Sequence, residues 1–216
     1  MISIHAGQCG NQLGYCILDS LFDHLTQQPT ASTSEKDKDN QTILMNHFFR
    51  HSRDVRRGTS SSSKWVARSV CIDTEPKVIH DCISRADDMK KWFFNDKHAH
   101  YEYGGAGNNW AKGYQLCTGS FRDASMNSIR IELEEADVSP TLLIVHSIGG
   151  GTGSGLGTKM SEEIYDEFAD VTKLNLAVMP YHFGMYHFLI PTHVYTCPYQ
   201  MHYSPLLTHL PSHLLI

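Results

Sequence analysis

The sequence of 216 residues lacks the marks of several large protein classes. Its six cysteines form no Cys-x-x-Cys pair, the usual spacing of a structural zinc site or a redox motif. No apolar run approaches the roughly 20 residues that a membrane span requires. The N-terminal stretch MISIHAGQCG has no basic segment followed by an apolar one, so we predict no secretory signal, and free intracellular thiols rather than disulfides.

An excess of positive charge is also missing. The formal net charge is −5 at pH 7, and no long basic run interrupts the sequence. Proteins that bind nucleic acid through its phosphates usually carry a basic patch or stripe. We therefore expect neither nucleic acid nor a membrane among the partners of this protein.

A third absence is confined to the end of the chain. Residues 181–216 contain no Asp, Glu, Lys or Arg, whereas an average globular sequence carries a charge at about every fourth residue. We therefore predict a folded domain at 1–181 and an aberrant, disordered tail at 182–216. Within the domain, residues 30–64 are polar and rich in serine around the apolar island ILMNHFF, which predicts a long mobile surface loop.

Strand and helix patterns alternate along the rest of the chain. Apolar runs predict strands at Ile2–Ala6 and in the segments WVARSVCID, PTLLIVHSI and KLNLAVM. Apolar residues at helical spacing follow the first strand and recur in EPKVIHDCISRA and SMNSIRIELEEA. Strand, turn, helix, strand is a βαβ unit. The predicted fold class is therefore α/β, a Rossmann-like parallel sheet flanked by helices, followed by an irregular C-terminal tail.

The most unusual segment is VHSIGGGTGSGLG, which runs from a predicted strand into a predicted helix. Free amide groups at a helix N-terminus attract anions, and glycines let a ligand approach the backbone closely. The segment does not fit a Walker A loop, because Lys159 is followed by Met160. It does not fit G-x-G-x-x-G either, because Leu156 or Thr158 occupies the third glycine position. We expect Gly149–Gly155 to be a phosphate cradle of another type.

Three further loops are expected at the same edge of the sheet. GQCGNQ, residues 7–12, offers amides and carboxamides after the first strand. Asp73 and Glu75 could hold a hydrated magnesium ion, or serve only as charges at a helix start. GGAGNNWAKG, residues 104–113, presents Asn108 and Asn109 to a terminal phosphate. Carboxyl ends of parallel strands meet at one edge, so the four loops can form one site.

Two other groups of side chains have competing interpretations. His98 and His100 could ligate a metal, but no third ligand has suitable spacing, so we expect them in a solvated loop. Cys9 lies at a helix start, where a thiol can become reactive, or it packs beside a bound ligand.

Taken together, GQCGNQ, the acidic turn before Pro76, GAGNNWAKG and GGGTGSG resemble the tubulin family in order and spacing. EPKVI and MPYHFG are most similar to the delta branch, while HSI is also similar to gamma. The resemblance implies binding of GTP or GDP with Mg²⁺. Glu75 would coordinate Mg²⁺ through water with the help of Asp73. The nucleotide-binding residues that the resemblance implies are Gln8, Cys9, Ala106, Gly107, Asn108, Ser147, Gly149, Gly150, Gly151, Thr152, Gly153 and Ser154.

The resemblance also implies partners and a location. These are other tubulin subunits or components of microtubules and centrioles, in the cytoplasm and the cytoskeleton of centriole and cilium, with the nucleus as a further location. The resemblance ends after Met179 and Pro180, so we expect the phosphate half of the pocket without the loops that read guanine and complete hydrolysis. The alternatives are a non-functional truncated product and a dinucleotide-dependent oxidoreductase.

Overall fold

The computed structural model describes residues 1–26, 35–51, 64–136 and 140–179. The predicted tail at 182–216 lies outside these ranges. The strands are β1 (Ile2–Ala6), β2 (Phe49–His51), β3 (Trp65–Ala67), β4 (Ser69–Asp73), β5 (Trp92–Phe93), β6 (Ala99–Tyr101), β7 (Thr141–Ser147) and β8 (Thr172–Val178). The helices are α1 (Gly7–Thr26), α2 (Glu35–Phe48), α3 (Pro76–Met89), α4 (Trp110–Leu116), α5 (Gly119–Glu134) and α6 (Gly157–Glu167). A 3₁₀ turn at Asp96–His98 precedes β6, and a π-helical turn at Thr152–Leu156 precedes α6.

Five parallel strands form the main sheet, in the order β6-β4-β1-β7-β8. In the order of the chain this is 3-2-1-4-5, the arrangement of a doubly wound Rossmann-like sheet. The predicted fold class is confirmed. The strand order reverses between β1 and β7, and ligands of such sheets bind beyond the carboxyl ends of the strands at that point.

Both faces of the sheet are covered, which explains why the strands are so apolar. On one face, Ile4 and Ile144 pack with Ile129 of α5 and Met160 of α6. The other face packs against α1 and α3 and the cluster around Trp92. Burial of each large apolar side chain contributes about 1.5–3 kcal/mol, so the two layers hold the strand ends in place. None of the helices in the described ranges is long and apolar enough to cross a membrane.

The segment at 30–64 differs from the loop that its composition predicts. Helix α2 and strand β2 lie within it, and β2 pairs with β3 in a second, three-stranded sheet of order β2-β3-β5. The reason is the apolar island, whose Met45 and Phe49 are buried in the same cluster as Trp92. Burial of these side chains offsets the weak helix preference of the polar residues around them.

The predicted strand WVARSVCID is in fact two strands in two sheets. The chain changes sheet at Arg68, between β3 and β4. Arg68 receives a backbone hydrogen bond from Ser3 of β1 and donates one to Phe48 at the end of α2, so it links the main sheet to the segment that leads into β2. An apolar run on its own does not reveal such a change of partner.

The interpretation of His98 and His100 as residues of a solvated loop is wrong. His98 is 4% exposed, and its Nδ1 lies 3.0 Å from Oε1 of the buried Glu132. His100 is half-buried, with its Nε2 2.8 Å from the hydroxyl of Ser128. Both side chains face α5 because β6 pairs with β4 and is thereby drawn into the main sheet.

Candidate functional site

The four predicted loops all follow strands of the main sheet at its carboxyl edge. They begin at Gly7 after β1, Thr74 after β4, Glu102 after β6 and Ile148 after β7. Because β1 and β7 flank the point where the strand order reverses, the first and last of these loops border the crevice where ligands bind in such sheets.

Some glycines at this edge are needed because the loops touch each other through their backbones. Gly7 has a φ of +74°, and a Cβ on it would lie 2.6 Å from the backbone nitrogen of Gly153. A Cβ on Gly151 would lie 2.6 Å from the Cβ of Ala106 and 2.8 Å from the nitrogen of Asn109. These distances are shorter than any that real Cβ atoms show, so the loops after β1, β6 and β7 can meet only through glycine.

Another part of the glycine segment faces outward. Gly150 is exposed with a φ of +84°, and a Cβ placed on it would meet only Oδ1 of Asn108, at 3.8 Å. A Cβ on Gly107 would meet nothing within 4 Å. The open face between the loops after β6 and β7 is therefore lined by bare backbone and one carboxamide, directly before the helical turn that starts at Thr152. The first N–H groups of such a turn have no intrahelical acceptor and favour an anion.

Side chains of the loop itself maintain this shape. The hydroxyl of Ser147 accepts a hydrogen bond from the Gly149 N–H at 3.1 Å, and that of Ser154 donates to the Gly150 carbonyl. His146, which is 3% exposed, is hydrogen-bonded through Nδ1 to the Gly153 carbonyl at 2.9 Å. Burial lowers the pKa of His146, so the ring is neutral and Nδ1–H is the donor. The sequence motifs do not reveal this role, although a histidine within an apolar strand is a visible signal.

The two acidic residues after β4 have different environments. Asp73 is 4% exposed, and its Oδ1 accepts a hydrogen bond from the Thr74 N–H at 2.7 Å. Burial raises the pKa of Asp73 to about 6. Glu75 is exposed, with its carboxylate against Gly105. It occupies the N-cap position of α3 without a side-chain capping hydrogen bond, so capping does not explain it.

The carboxylates of the loop after β4 can hold magnesium only if water and a bound phosphate supply its other oxygen ligands. Within the ranges that the structure describes, no three His, Cys, Asp or Glu side chains surround one point. Mg²⁺ typically takes one or two carboxylates and completes its octahedron with water and phosphate oxygens. The exposed carboxylate of Glu75, backed by Asp73, meets that requirement on the protein side.

Asn11 links the first two loops and was not singled out by the motif search. Its Nδ2 donates to the carbonyls of Gly7 at 2.9 Å and Ile72 at 3.2 Å, and lies 3.4 Å from Oδ2 of Asp73. Its Oδ1 is buried without a protein partner. The position within GQCGNQ was the available signal, but only the fold brings Asn11 to β4.

The remaining predicted site residues lie at the same edge but differ in exposure and in hydrogen bonding. Gln8 is exposed and Cys9 half-buried in the first turn of α1. Burial raises the pKa of the Cys9 thiol, which favours packing over reactivity. Asn108 has a φ of +54° and an exposed side chain, whereas Asn109 caps α4 by accepting from the Lys112 N–H at 3.1 Å.

A parallel sheet with glycine loops at its switch point defines the class of nucleotide-binding α/β domains. Comparison with known proteins narrows this class. The sequence model of the Tubulin/FtsZ family, GTPase domain, matches residues 1–188. The chain belongs to the Tubulin/FtsZ family, and the resemblance inferred from its four motifs is confirmed.

Curated relatives place the chain near two branches of that family. It is 33% identical over 185 residues to the tubulin delta chain of Mus musculus, covering 85% of this chain and 39% of the relative. The tubulin delta chain of Homo sapiens is 30% identical over 184 residues, with the same coverage of 85% and 39%. The tubulin epsilon chain of Mus musculus is 34% identical over 185 residues, covering 83% and 37%. The chain thus spans about two fifths of the length of these relatives.

Proposed function

We propose that this protein binds GTP or GDP together with Mg²⁺ at the carboxyl edge of its main sheet. The observation that carries the proposal is the open face between the loops after β6 and β7. There, Gly150 and Gly107 leave room for a ligand and Asn108 points a carboxamide toward it. Membership of the GTPase-domain family supports the identity of the ligand.

Each group at the site has a proposed task. Backbone N–H groups of Gly150–Ser154 hold the α- and β-phosphates, and Ser147, which accepts from the Gly149 N–H, shapes the loop around them. Ala106, Gly107 and Asn108 approach the γ-phosphate. Hydrogen bonds to charged oxygens contribute about 1.5–3 kcal/mol each, so three or four approach the roughly 8 kcal/mol of micromolar binding.

The first and second loops complete the proposed site. Gln8 lies near the phosphates and the metal, and Cys9 packs beside the nucleotide. Glu75 coordinates Mg²⁺ through water, with Asp73 and its hydrogen-bond partners holding that loop in place. The metal would screen phosphate charge that the acidic residues alone would repel.

The names of the relatives support a proposal for the wider role. We propose a cytoskeletal protein that assembles with other tubulin subunits or with components of microtubules, centrioles and cilia. Its proposed location is the cytoplasm and the cytoskeleton, with the nucleus as a further site. Of the curated relatives described above, two are named tubulin delta chain and one tubulin epsilon chain, which supports a cytoskeletal role and assembly with tubulin subunits.

The test is calorimetry on the full chain with GTP in the presence of Mg²⁺, followed by competition with ATP. We expect micromolar GTP binding that EDTA weakens at least tenfold and that excess ATP does not displace. Equal binding of GTP and ATP would contradict guanine selectivity. A folded sample that binds neither would overturn the proposal and favour the non-functional product, while binding of NADH would favour the oxidoreductase.

A matched pair of variants locates the binding. Gly150→Ala adds a methyl group on the open face at a φ of +84° and should weaken GTP binding at least tenfold. Gly119→Ala, at a φ of +55° at the start of α5, carries similar backbone strain away from the four loops and should leave affinity unchanged. Equal loss in both variants would contradict the assigned position of the site.

A further inference from the structure

Thr74 connects three of the four loops at the candidate site. It lies between the two acidic residues, is 1% exposed, and uses each of its polar groups. Its N–H donates to Oδ1 of Asp73 at 2.7 Å, and its carbonyl accepts from the Gly105 N–H at 3.2 Å. Its hydroxyl oxygen lies 2.5 Å from that of Thr152. The side chain of Thr74 is therefore the link from the acidic loop to the glycine loop.

The position of Thr152 makes the direction of its hydroxyl group important for binding a phosphate. It is the first residue of the helical turn after the glycine segment, next to the N–H groups that favour an anion. A phosphate oxygen can only accept a hydrogen bond, so Thr152 must donate to bind it. Its oxygen then has to accept, and Thr74 is the neighbour that can donate.

Without this partner, the hydroxyl of Thr152 has another use. Ser and Thr hydroxyls near a helix readily donate to a backbone carbonyl of the preceding turn, as Ser154 does to Gly150 in this loop. A hydroxyl engaged in that way is lost to a ligand. The contact with Thr74 competes with this arrangement.

We propose that Thr74 is a positioning residue for the nucleotide site. Its hydroxyl directs the hydroxyl of Thr152 toward a bound phosphate and fastens the glycine loop to the loop that holds the metal. The inference rests on the proposed nucleotide binding for its first half, whereas the fastening of the two loops belongs to the ligand-free protein.

The first experiment measures the fastening without a ligand. Hydrogen–deuterium exchange of the full chain should show faster exchange at residues 147–157 in Thr74→Val, by about fivefold. Thr74→Ser retains the hydroxyl and should exchange like the unaltered protein. Thr172→Val is the matched control, because Thr172 is exposed at the start of β8, at the opposite edge of the sheet. It should leave exchange at residues 147–157 unchanged. Unchanged exchange in Thr74→Val would overturn the fastening.

The second experiment measures affinity for GTP with Mg²⁺ by calorimetry. Thr74→Val should bind about 5- to 10-fold more weakly, as expected for loss of one hydrogen bond of a charged network. Thr74→Ser should restore affinity to within twofold. Loss of affinity in both variants would mean that the methyl group and its packing matter, which overturns the role of the hydroxyl.

A double-mutant cycle separates positioning from general damage. If Thr74 acts through Thr152, Thr74→Val should have no further effect on affinity in a Thr152→Val background. Additive losses would contradict the proposal. If the unaltered protein binds no GTP, the proposed function fails on that result alone, and the exchange experiment still decides whether the two loops are fastened.

Discussion

The two edges of the main sheet are held together in different ways. At the carboxyl edge the loops meet backbone to backbone, with Gly7 against Gly153 and Gly151 against Asn109. At the amino edge, the buried carboxylate of Glu132 lies 3.2 Å from the guanidinium of Arg50 and 3.0 Å from the ring of His98. The carboxyl edge combines backbone contacts between glycines with the hydrogen bonds of Asn11 and Thr74, whereas the amino edge depends on a buried carboxylate.

The two edges also differ in whether their contacts can be recognised from sequence motifs. Loops that touch through backbone need glycine at the point of contact, and several glycines within one loop are visible in the sequence. A buried ion cluster needs only one residue from each of several distant segments. Arg50, Arg68, His98 and Glu132 come from four parts of the chain and share no pattern.

The largest expected effect is at the amino edge. Burial alone would raise the pKa of Glu132, but the hydrogen bond from His98 and the charge of Arg50 outweigh it and hold the pKa below its usual value. Glu132→Ala removes the fully buried carboxylate that pairs with Arg50 and Arg68, and leaves Arg50 with the exposed Glu135 as its acidic partner. It should lower the free energy of unfolding by about 3–5 kcal/mol. Urea denaturation measures it. Glu134→Gln, exposed on the same helix, should change stability by less than about 0.5 kcal/mol. Equal effects would contradict the cluster's role.

The second effect tests the carboxyl edge. Gly7→Ala combines a positive φ with a clash against Gly153, and we expect a loss of about 2–4 kcal/mol together with weaker GTP binding. Gly119→Ala has a positive φ but free space around the added methyl group, so it should cost only about 1–2 kcal/mol. Chemical denaturation of both variants isolates the contact between the loops. Identical losses would show that backbone strain alone accounts for the effect.

The third effect is a pH dependence of stability that arises from a histidine within the main sheet, between its two edges. His5 of β1 is fully buried, and burial lowers its pKa to about 4 from an ordinary value near 6.5. The unfolded chain therefore binds this proton more readily. Stability should be independent of His5 above pH 6.5 and should fall by about 3 kcal/mol as the pH drops to about 4.

Denaturation between pH 4 and pH 7 checks this dependence. His5→Asn should lower the stability at pH 7 and reduce the slope by one proton. His100, whose pKa burial also lowers to about 4, should account for part of the remaining slope. An unchanged slope in His5→Asn would contradict the assignment.

The smallest effect concerns the side chain that ends the loop after β6. Asn109 caps α4, so Asn109→Ala should lower the free energy of unfolding by about 1 kcal/mol. Thr118 holds the same position before α5 without a side-chain capping bond, and Thr118→Ala should cost clearly less. Thermal unfolding of the pair compares them. A larger loss in Thr118→Ala would contradict the capping role of Asn109.

The fold and the place of the site were largely predictable from sequence, and its internal connections were not. Strand β1 and helix α3 match their predicted segments because an apolar run or stripe specifies the element locally. The four loops reach one edge because parallel strands share a direction. In contrast, nothing in the sequence indicates that Asp73 is buried whereas Glu75 is exposed. Burial depends on neighbours that are distant in the sequence.

By itself, the sequence determined the α/β class, the family and the glycine loops, because each depends on residues close together in the chain. The tertiary structure determines which glycines pack and which face outward, that Thr74 meets Thr152, and that Glu132 pairs with Arg50 and Arg68 from distant segments. It also decided that the island at Met45 and Phe49 joins the core. These outcomes depend on contacts between remote segments, which exist only once the sheet has fixed their relative positions.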